Sequence, residues 1–95
     1  MTQALMLDEV TQARDLEPRT VARVSGRIVA LQVEPAGAPP AVVARVDDGT
    51  GYVHVVFMGR RHVPGVEPGR ELDLEGRVCA TDAEPRIYNP RYELR

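Results

Sequence analysis

The sequence predicts a single all-β domain of five strands closed into a small barrel. Most apolar residues are small, with β-branched valine the commonest of them, and aromatic residues make up only 4% of the 95-residue chain, a composition that favours strands. From Val21 onward the apolar residues recur with a period of two, as in strands with one buried face. Eight glycines and eight prolines help to divide these runs into short segments joined by turns. The length suits one domain.

Residues 1–19 precede this pattern and are predicted to form an N-terminal helix or a flexible tail. Within the stretch from Ala4 to Leu16, apolar residues fall at helical spacing, namely Met6, Val10, Ala13 and Leu16. So short a helix is marginal unless it packs against another element, and both alternatives therefore stand. Pro18 ends the segment in either case.

The first predicted strand, Val21–Val33, is unusually long and has a glycine near its middle. Its apolar phase also changes between Ile28 and Leu31. Both features indicate a strand that bends, at a glycine or a β-bulge, so that its two ends pair with different neighbours. A closed small barrel requires a first strand of this kind.

Four further segments complete the predicted barrel domain, residues 20–95. They are Ala41–Val46, Tyr52–Met58, Glu71–Cys79 and a last strand from Pro85 to Leu94 that is interrupted at Asn89 and Pro90. The turn Asp48-Gly49-Thr50-Gly51 joins the second and third strands, because Asp-Gly tolerates the positive φ of a tight hairpin. Five turn-separated strands predict a Greek-key barrel of the OB type. An SH3-like barrel is the alternative, ranked lower because of the long first strand.

Four short motifs in this order resemble OB domains of the tRNA-anticodon-binding type. The motifs are Val24-Ser25-Gly26-Arg27-Ile28, Asp48-Gly49-Thr50-Gly51, residues 68–78 and Asn89-Pro90-Arg91-Tyr92-Glu93. They are most similar to the wedge domain of RecG branch-migration helicases, over about residues 20–95. The resemblance implies a domain that holds single-stranded or branched DNA, or RNA. The sequence has no Gly-x-x-x-x-Gly-Lys-[Ser/Thr] phosphate loop of a helicase motor. Wedge domains also carry exposed aromatics just after the third strand, where this chain has Met58-Gly59-Arg60-Arg61, so we expect binding without strand separation.

Strand alternation predicts which side chains face inward. The predicted core consists of Val24, Val42, Ala44, Val46, Val53, Val55, Phe57, Leu72, Leu74 and Val78. The opposite face of the second and third strands then carries Val43, Arg45, Tyr52, His54, Val56 and Met58. This is the face on which OB domains bind oligonucleotides. A base could stack on Tyr52 or His54 while Arg45 contacts a phosphate. The alternative is that these residues are ordinary exposed cross-strand partners.

Further candidates flank this face. Arg60 and Arg61 continue the third strand and could follow a phosphate backbone, although a solvated loop is the alternative. Arg86 and Tyr88 lie on the last strand and could extend the groove. Asn89 and Tyr92 are expected to attach that strand to the barrel.

Charge leaves a second functional class open. The formal net charge is −2, and residues 21–95 carry ten arginines and ten acids. The outward face of the fourth strand is predicted to be acidic, with Glu71, Asp73 and Glu75. A protein-interaction module that docks a DNA-processing or regulatory partner is therefore the alternative to nucleic-acid binding.

We predict neither an enzyme nor a cofactor or metal site. Ser25 is the only serine, and His54 and His62 have no cysteine or paired carboxylate at ligand spacing. No apolar run is long enough to cross a membrane, and we expect no membrane association. The N-terminus lacks the basic start of a secretory signal and Cys79 has no partner for a disulfide. These features predict a cytoplasmic protein.

Overall fold

A computed structural model describes residues 7–34, 39–79 and 83–95 of the chain. The described elements are a 3-10 turn at Ala13–Asp15 and six strands: β1 Val21–Val33, β2 Ala41–Asp47, β3 Tyr52–Met58, β4 Glu71–Cys79, β5 Arg86–Tyr88 and β6 Arg91–Leu94. The prediction of an all-β domain is confirmed. Within the described residues, no helix is long and apolar enough to cross a membrane.

Five strands form a closed ring in the order β1-β2-β3-β5-β4, because β1 also pairs with β4. The pairings are antiparallel except for β3 with β5, which is parallel. The chain therefore leaves β3, forms β4 on the far side of the ring, and returns to β3 through β5. This crossover places residues 83–85 beside the start of β3.

The long strand β1 serves two neighbours, as its sequence predicts. Its first half, Val21 to Arg27, pairs with β4, and its second half, from Arg27 to Val33, pairs with β2. The register shifts between Ile28 and Ala30, which is the bulge that the change of apolar phase predicts. Beyond the bulge, Val33 is exposed on a part of β1 that pairs with β2 alone.

The core fills the inside of the ring. Every residue of the predicted core is buried there, together with Ala22, Ile28, Val63, Val66 and Ile87. Val53 and Val55 are fully buried while His54 between them is partly exposed, so the predicted register of β3 is confirmed.

Two irregular segments cover the open ends of the ring. Between β3 and β4, Val63 and Val66 insert into the core from a loop. A turn in this loop is closed by a hydrogen bond of 3.0 Å from the Val66 amide to the Val63 carbonyl. At the other end, residues 7–20 dock through backbone hydrogen bonds: the amide of Thr11 donates to the Arg23 carbonyl at 2.8 Å and that of Arg19 to the Val78 carbonyl at 2.8 Å.

The segment Leu7–Leu16 does not form the α-helix that its spacing suggests. Residues 1–6 lie outside the described part of the chain, and residues 7–16 contain only the 3-10 turn. Ala13 is buried and Leu16 packs against the core. Backbone amides of this segment instead bond to the β2–β3 hairpin, with Ala13 donating to Asp48 Oδ2 at 2.7 Å. Contacts with the ring thus replace helical hydrogen bonds.

The predicted interruption of the last strand separates β5 from β6. Asn89 adopts a left-handed φ of 49°, which asparagine tolerates better than most residues. Its amide donates to the Val56 carbonyl at 2.7 Å and its Oδ1 accepts from the Met58 amide at 2.8 Å. Tyr92 on β6 packs edge-on against Phe57, with ring centroids 5.3 Å apart. Asn89 and Tyr92 thus attach the last strand to the ring, as predicted.

Candidate nucleic-acid interface

Three of the predicted basic side chains belong to one cross-strand row on the outside of the ring. Arg45 on β2 pairs with His54 on β3, and His54 pairs with Arg86 on β5. Residues in register on adjacent strands project from the same face, so the row crosses three strands. The predicted face therefore extends beyond β2 and β3 to include β5.

Glu84 connects the first two members of this row. Its Oε1 and Oε2 accept hydrogen bonds from Arg45 Nε and Nη2 at 3.1 and 2.7 Å, a two-point contact. The same Oε1 lies 2.7 Å from His54 Nε2. All three side chains are partly exposed, with 27–38% of their surface accessible, so the cluster lies at the surface. No motif or strand alternation in the sequence singles out Glu84 as a member of this site.

Arg45 also stacks on the aromatic ring of Tyr52. Its Cζ lies 3.6 Å from the ring centroid, which is a close cation–π contact. Tyr52 is in register with Asp47, two positions beyond the Arg45–His54 pair and therefore on the same face. Arg45 is consequently held between a carboxylate and an aromatic face, and Tyr52, Arg45 and His54 form one continuous polar and aromatic surface.

Both partners of the central ion pair are charged at neutral pH. The hydrogen bond from Arg45 is the main cause that lowers the pKa of Glu84 to about 2, with His54 contributing in the same direction. The same hydrogen bond raises the pKa of Arg45. The cluster therefore displays a guanidinium that is already bound to an anionic oxygen pair.

The middle of the same face is apolar. Alternation places Val43 and Val56 on the open face, but both are buried and form a small cluster with Ala41. The register row that runs through them ends at Tyr88, which is 42% exposed. These two valines are therefore unavailable for contact with a ligand, and the prediction that they present an open surface is wrong.

The remaining predicted residues lie around this apolar strip. Met58, 49% exposed, pairs with Ala41 at the far end of β3. Arg60 and Arg61 follow in an exposed loop, which is held to the end of the β1–β2 connection by a 2.7 Å bond from the Gly59 amide to the Pro40 carbonyl. Neither arginine pairs with an acid in the part of the chain that the structure describes.

The predicted residues therefore form two groups at opposite ends of β3. Arg45, Tyr52, His54 and Arg86 lie at its start, and Met58, Tyr88, Arg60 and Arg61 lie towards its end. Seven residues of extended strand span roughly 23 Å at the usual rise of about 3.3 Å per residue. That length suits several nucleotides of an extended single strand.

The opposite side of the ring has a different character from the acidic face that the sequence predicts. Asp73 is buried and accepts hydrogen bonds from Ser25 Oγ at 2.7 Å and from Arg23, and it also pairs with Arg95 Nη2 at 2.7 Å. Burial acts to raise the pKa of Asp73, but the bonds from Ser25 and Arg23 outweigh it and the pKa is lowered.

The other two acids of β4 are also engaged. Glu71 lies 3.4 Å from Arg27, and Glu75 Oε2 accepts the Leu7 amide at 2.6 Å. Arg23 Nη1 in turn donates to the Leu7 carbonyl at 2.9 Å. This side is therefore charge-paired and partly covered by residues 7–20.

A groove adjoins the Tyr52 end of the candidate interface. It has a volume of about 430 Å³ and is lined by Leu16 and Pro18 from the N-terminal segment, by Tyr52, and by Val78, Cys79 and Pro85. The lining is mainly apolar, so the groove extends the aromatic surface towards the end of the ring.

No cluster of histidine, cysteine or acidic side chains with the geometry of a metal site occurs among the described residues. A scan against protein-family models found no match for this chain, and a search of curated proteins found no significant relative.

Proposed function

We propose that the chain is a non-enzymatic OB-type module that binds single-stranded or branched DNA, or RNA, on the outer face of β2, β3 and β5. The strand order and the bent first strand support the OB assignment. A Greek-key ring of five strands with this bend is how OB barrels close, and their oligonucleotide face is that of strands two and three. Here the same face carries most of the predicted contact residues.

The observation that carries the proposal is the stacked pair of Arg45 and Tyr52 beside His54. Single-stranded nucleic acids bind to surfaces that combine aromatic rings for the bases with cations for the phosphates. A guanidinium whose Cζ lies 3.6 Å from the Tyr52 ring centroid offers both in one place. Because such stacking accepts any base, we expect binding with little sequence preference.

Charge distribution supports this face over the opposite one. Three arginines of the β1–β4 side are engaged by Asp73 and Glu71. Arg60 and Arg61 extend the β2–β3 side and are exposed. A chain with a net charge of −2 can still attract phosphates locally when several of its cations lie close together on one side.

The protein-interaction alternative has less support. It rests on the near-neutral charge of the barrel and on the acidic outward face of β4, and those acids are bonded to arginines and to a backbone amide. We therefore rank a docking module for a protein partner below nucleic-acid binding.

Titration of a labelled single strand, followed by fluorescence anisotropy at two salt concentrations, tests the proposal at Tyr52. Tyr52→Ala should weaken binding by roughly 1–3 kcal/mol, the usual loss for one stacking ring. Tyr52→Phe should bind almost as the parent does, because stacking requires the ring and not the hydroxyl group. Affinity should fall as salt rises, by a log–log slope of about −0.7 for each phosphate neutralised.

Circular dichroism and thermal melting of each variant control for folding. A folded Tyr52→Ala protein with the affinity of the parent would remove Tyr52 from the interface. If the parent bound neither single-stranded DNA, RNA nor a branched junction at low salt, the proposed function would be wrong, and a protein partner would be the next candidate to test.

A further inference from the structure

The Glu84 carboxylate occupies the place at the candidate interface where a ligand anion would bind. Its two oxygens accept from Arg45 Nε and Nη2, and one of them also contacts His54 Nε2. Two oxygens that face a guanidinium fork are also how a phosphate binds to arginine. The strongest anion-binding position on this face is thus filled by the chain itself.

We propose that Glu84 is an internal competitor of the ligand phosphate, and that a backbone phosphate replaces its carboxylate on Arg45 and His54. This inference rests on the proposed function and adds to it the residue that sets the affinity. It identifies the phosphodiester group as the part of the ligand that contacts Arg45, with the bases stacking on Tyr52.

The exchange is energetically feasible because the cluster lies at the surface. The side chains of Arg45 and Glu84 are 38% and 33% exposed. Partly exposed ion pairs of this kind contribute little to stability, so a ligand with several contacts can displace one. Glu84 lies in the connection between β4 and β5, outside any strand, and its side chain can turn away without breaking a strand pairing.

A positioning role is the rival interpretation of the same contacts. In that case Glu84 would hold Arg45 flat against Tyr52, and the nucleic acid would stack on the finished assembly. The two roles predict opposite effects of removing the carboxylate charge. Removal should raise the affinity for the single strand if Glu84 is a competitor, and lower it if Glu84 positions Arg45.

The test is a binding titration of the parent, Glu84→Gln, Arg45→Gln and the double variant with one labelled single strand at low and moderate salt. Glu84→Gln should bind roughly two- to fivefold tighter than the parent, the range expected when a surface ion pair no longer competes. Its salt dependence should also be steeper, by up to about 0.7 in the log–log slope for one added phosphate contact. In the Arg45→Gln background, the gain from Glu84→Gln should disappear.

Glu71→Gln is the matched control, because it removes one negative charge and one contact with an arginine on the opposite side of the ring. It should leave affinity unchanged. Glu84→Ala provides a second variant of the same position if the glutamine variant folds poorly.

The outcomes separate this inference from the proposed function. Equal or weaker binding by both Glu84 variants, with the parent still binding, would overturn the competitor role and leave the function standing. The competitor role would also be overturned if the gain in affinity from Glu84→Gln persisted in the Arg45→Gln background, or if Glu71→Gln gave the same gain. Either result would indicate a general effect of charge. A parent and a Glu84→Gln variant that both fail to bind at low salt would contradict the function and the inference together.

Discussion

At the scale of single residues, three carboxylates are held by more partners than ordinary surface acids have. Asp48 Oδ1 accepts from the Thr50 amide and hydroxyl at 2.9 and 2.7 Å, and its Oδ2 accepts from the Ala13 amide. Burial acts to raise the pKa of Asp48, yet the bonds from Thr50 and Ala13 lower it. The pKa of Asp73 is lowered by its hydrogen bonds from Ser25 and Arg23. The pKa of Glu84 is lowered by its hydrogen bonds from Arg45.

These three groups predict that the fold loses stability in acid. A carboxyl with a lower pKa in the folded than in the unfolded state binds more protons when unfolded, so the free energy of unfolding rises with pH. For Glu84 the contribution is complete above the unfolded pKa of about 4.3 and is lost as pH falls through about 2. Urea unfolding should be measured from pH 7 to pH 2.5. The urea concentration at the unfolding midpoint should decrease as the pH is lowered below about 5.

The decrease of the urea midpoint in acid should be smaller in Glu84→Gln than in the parent, since one of the three carboxylates is then absent. Glu71→Gln, which alters an exposed pair, should follow the parent. Equal declines in the parent and Glu84→Gln would show that the bond to Arg45 does not influence folding stability.

The site residues also show how far a sequence can locate a surface. Alternation is sufficient to place Arg45 and His54 on the outer face, because β2 and β3 pair directly across a tight hairpin. Glu84 is 39 residues from Arg45 and 30 from His54 along the chain. Its contacts depend on the parallel pairing of β5 with β3, which local patterns do not reveal.

At the scale of elements, β1 determines how the ring closes. Arg27 is the residue at which it changes partners, pairing with Glu71 on β4 and with Asp47 on β2. Gly26 lies just before this point, and a Cβ there would be 2.7 Å from both the Asp47 carbonyl oxygen and Val46 Cγ1. Only a residue without a side chain allows the backbones of β1 and β2 to approach so closely.

Gly26→Ala should therefore destabilise the protein by about 1–3 kcal/mol, the usual cost of forcing an extra methyl group into a packed position. Chemical unfolding measures the change. Gly51→Ala is the control, since a Cβ at that position would meet Ala13 Cβ at an ordinary 3.6 Å. A Gly26→Ala protein as stable as Gly51→Ala would show that β1 does not need its close approach to β2.

The strands were predictable because their period-two pattern and their turns agree. The bounds of β1, β3 and β4 match the predicted ones, and the bulge in β1 appears where the apolar phase changes. The N-terminal segment was less predictable, because the helical spacing of its apolar residues does not reveal the amide bonds to Asp48 and Thr50. Those partners belong to a hairpin more than 30 residues away.

At the scale of the whole molecule, the two sides of the ring differ in what they leave available. The β1–β4 side carries the row Ser25, Asp73 and Glu93, in which Asp73 is buried under arginine contacts. The β2–β3–β5 side carries the row Arg45, His54 and Arg86, flanked by partly exposed Tyr52 and by exposed Met58 and Tyr88. We therefore expect a single strand to contact only the β2–β3–β5 side.

An NMR titration of the ¹⁵N-labelled protein with an unlabelled single strand at low salt measures this directly. We expect the largest amide shift changes along Arg45, Tyr52, His54 and Arg86, with smaller changes at Arg60 and Arg61. The row Ser25, Asp73 and Glu93 should remain unchanged and serves as the internal control. Shift changes concentrated on that opposite row, or no changes at any residue with excess nucleic acid, would contradict the assignment of the β2–β3–β5 face as a nucleic-acid interface.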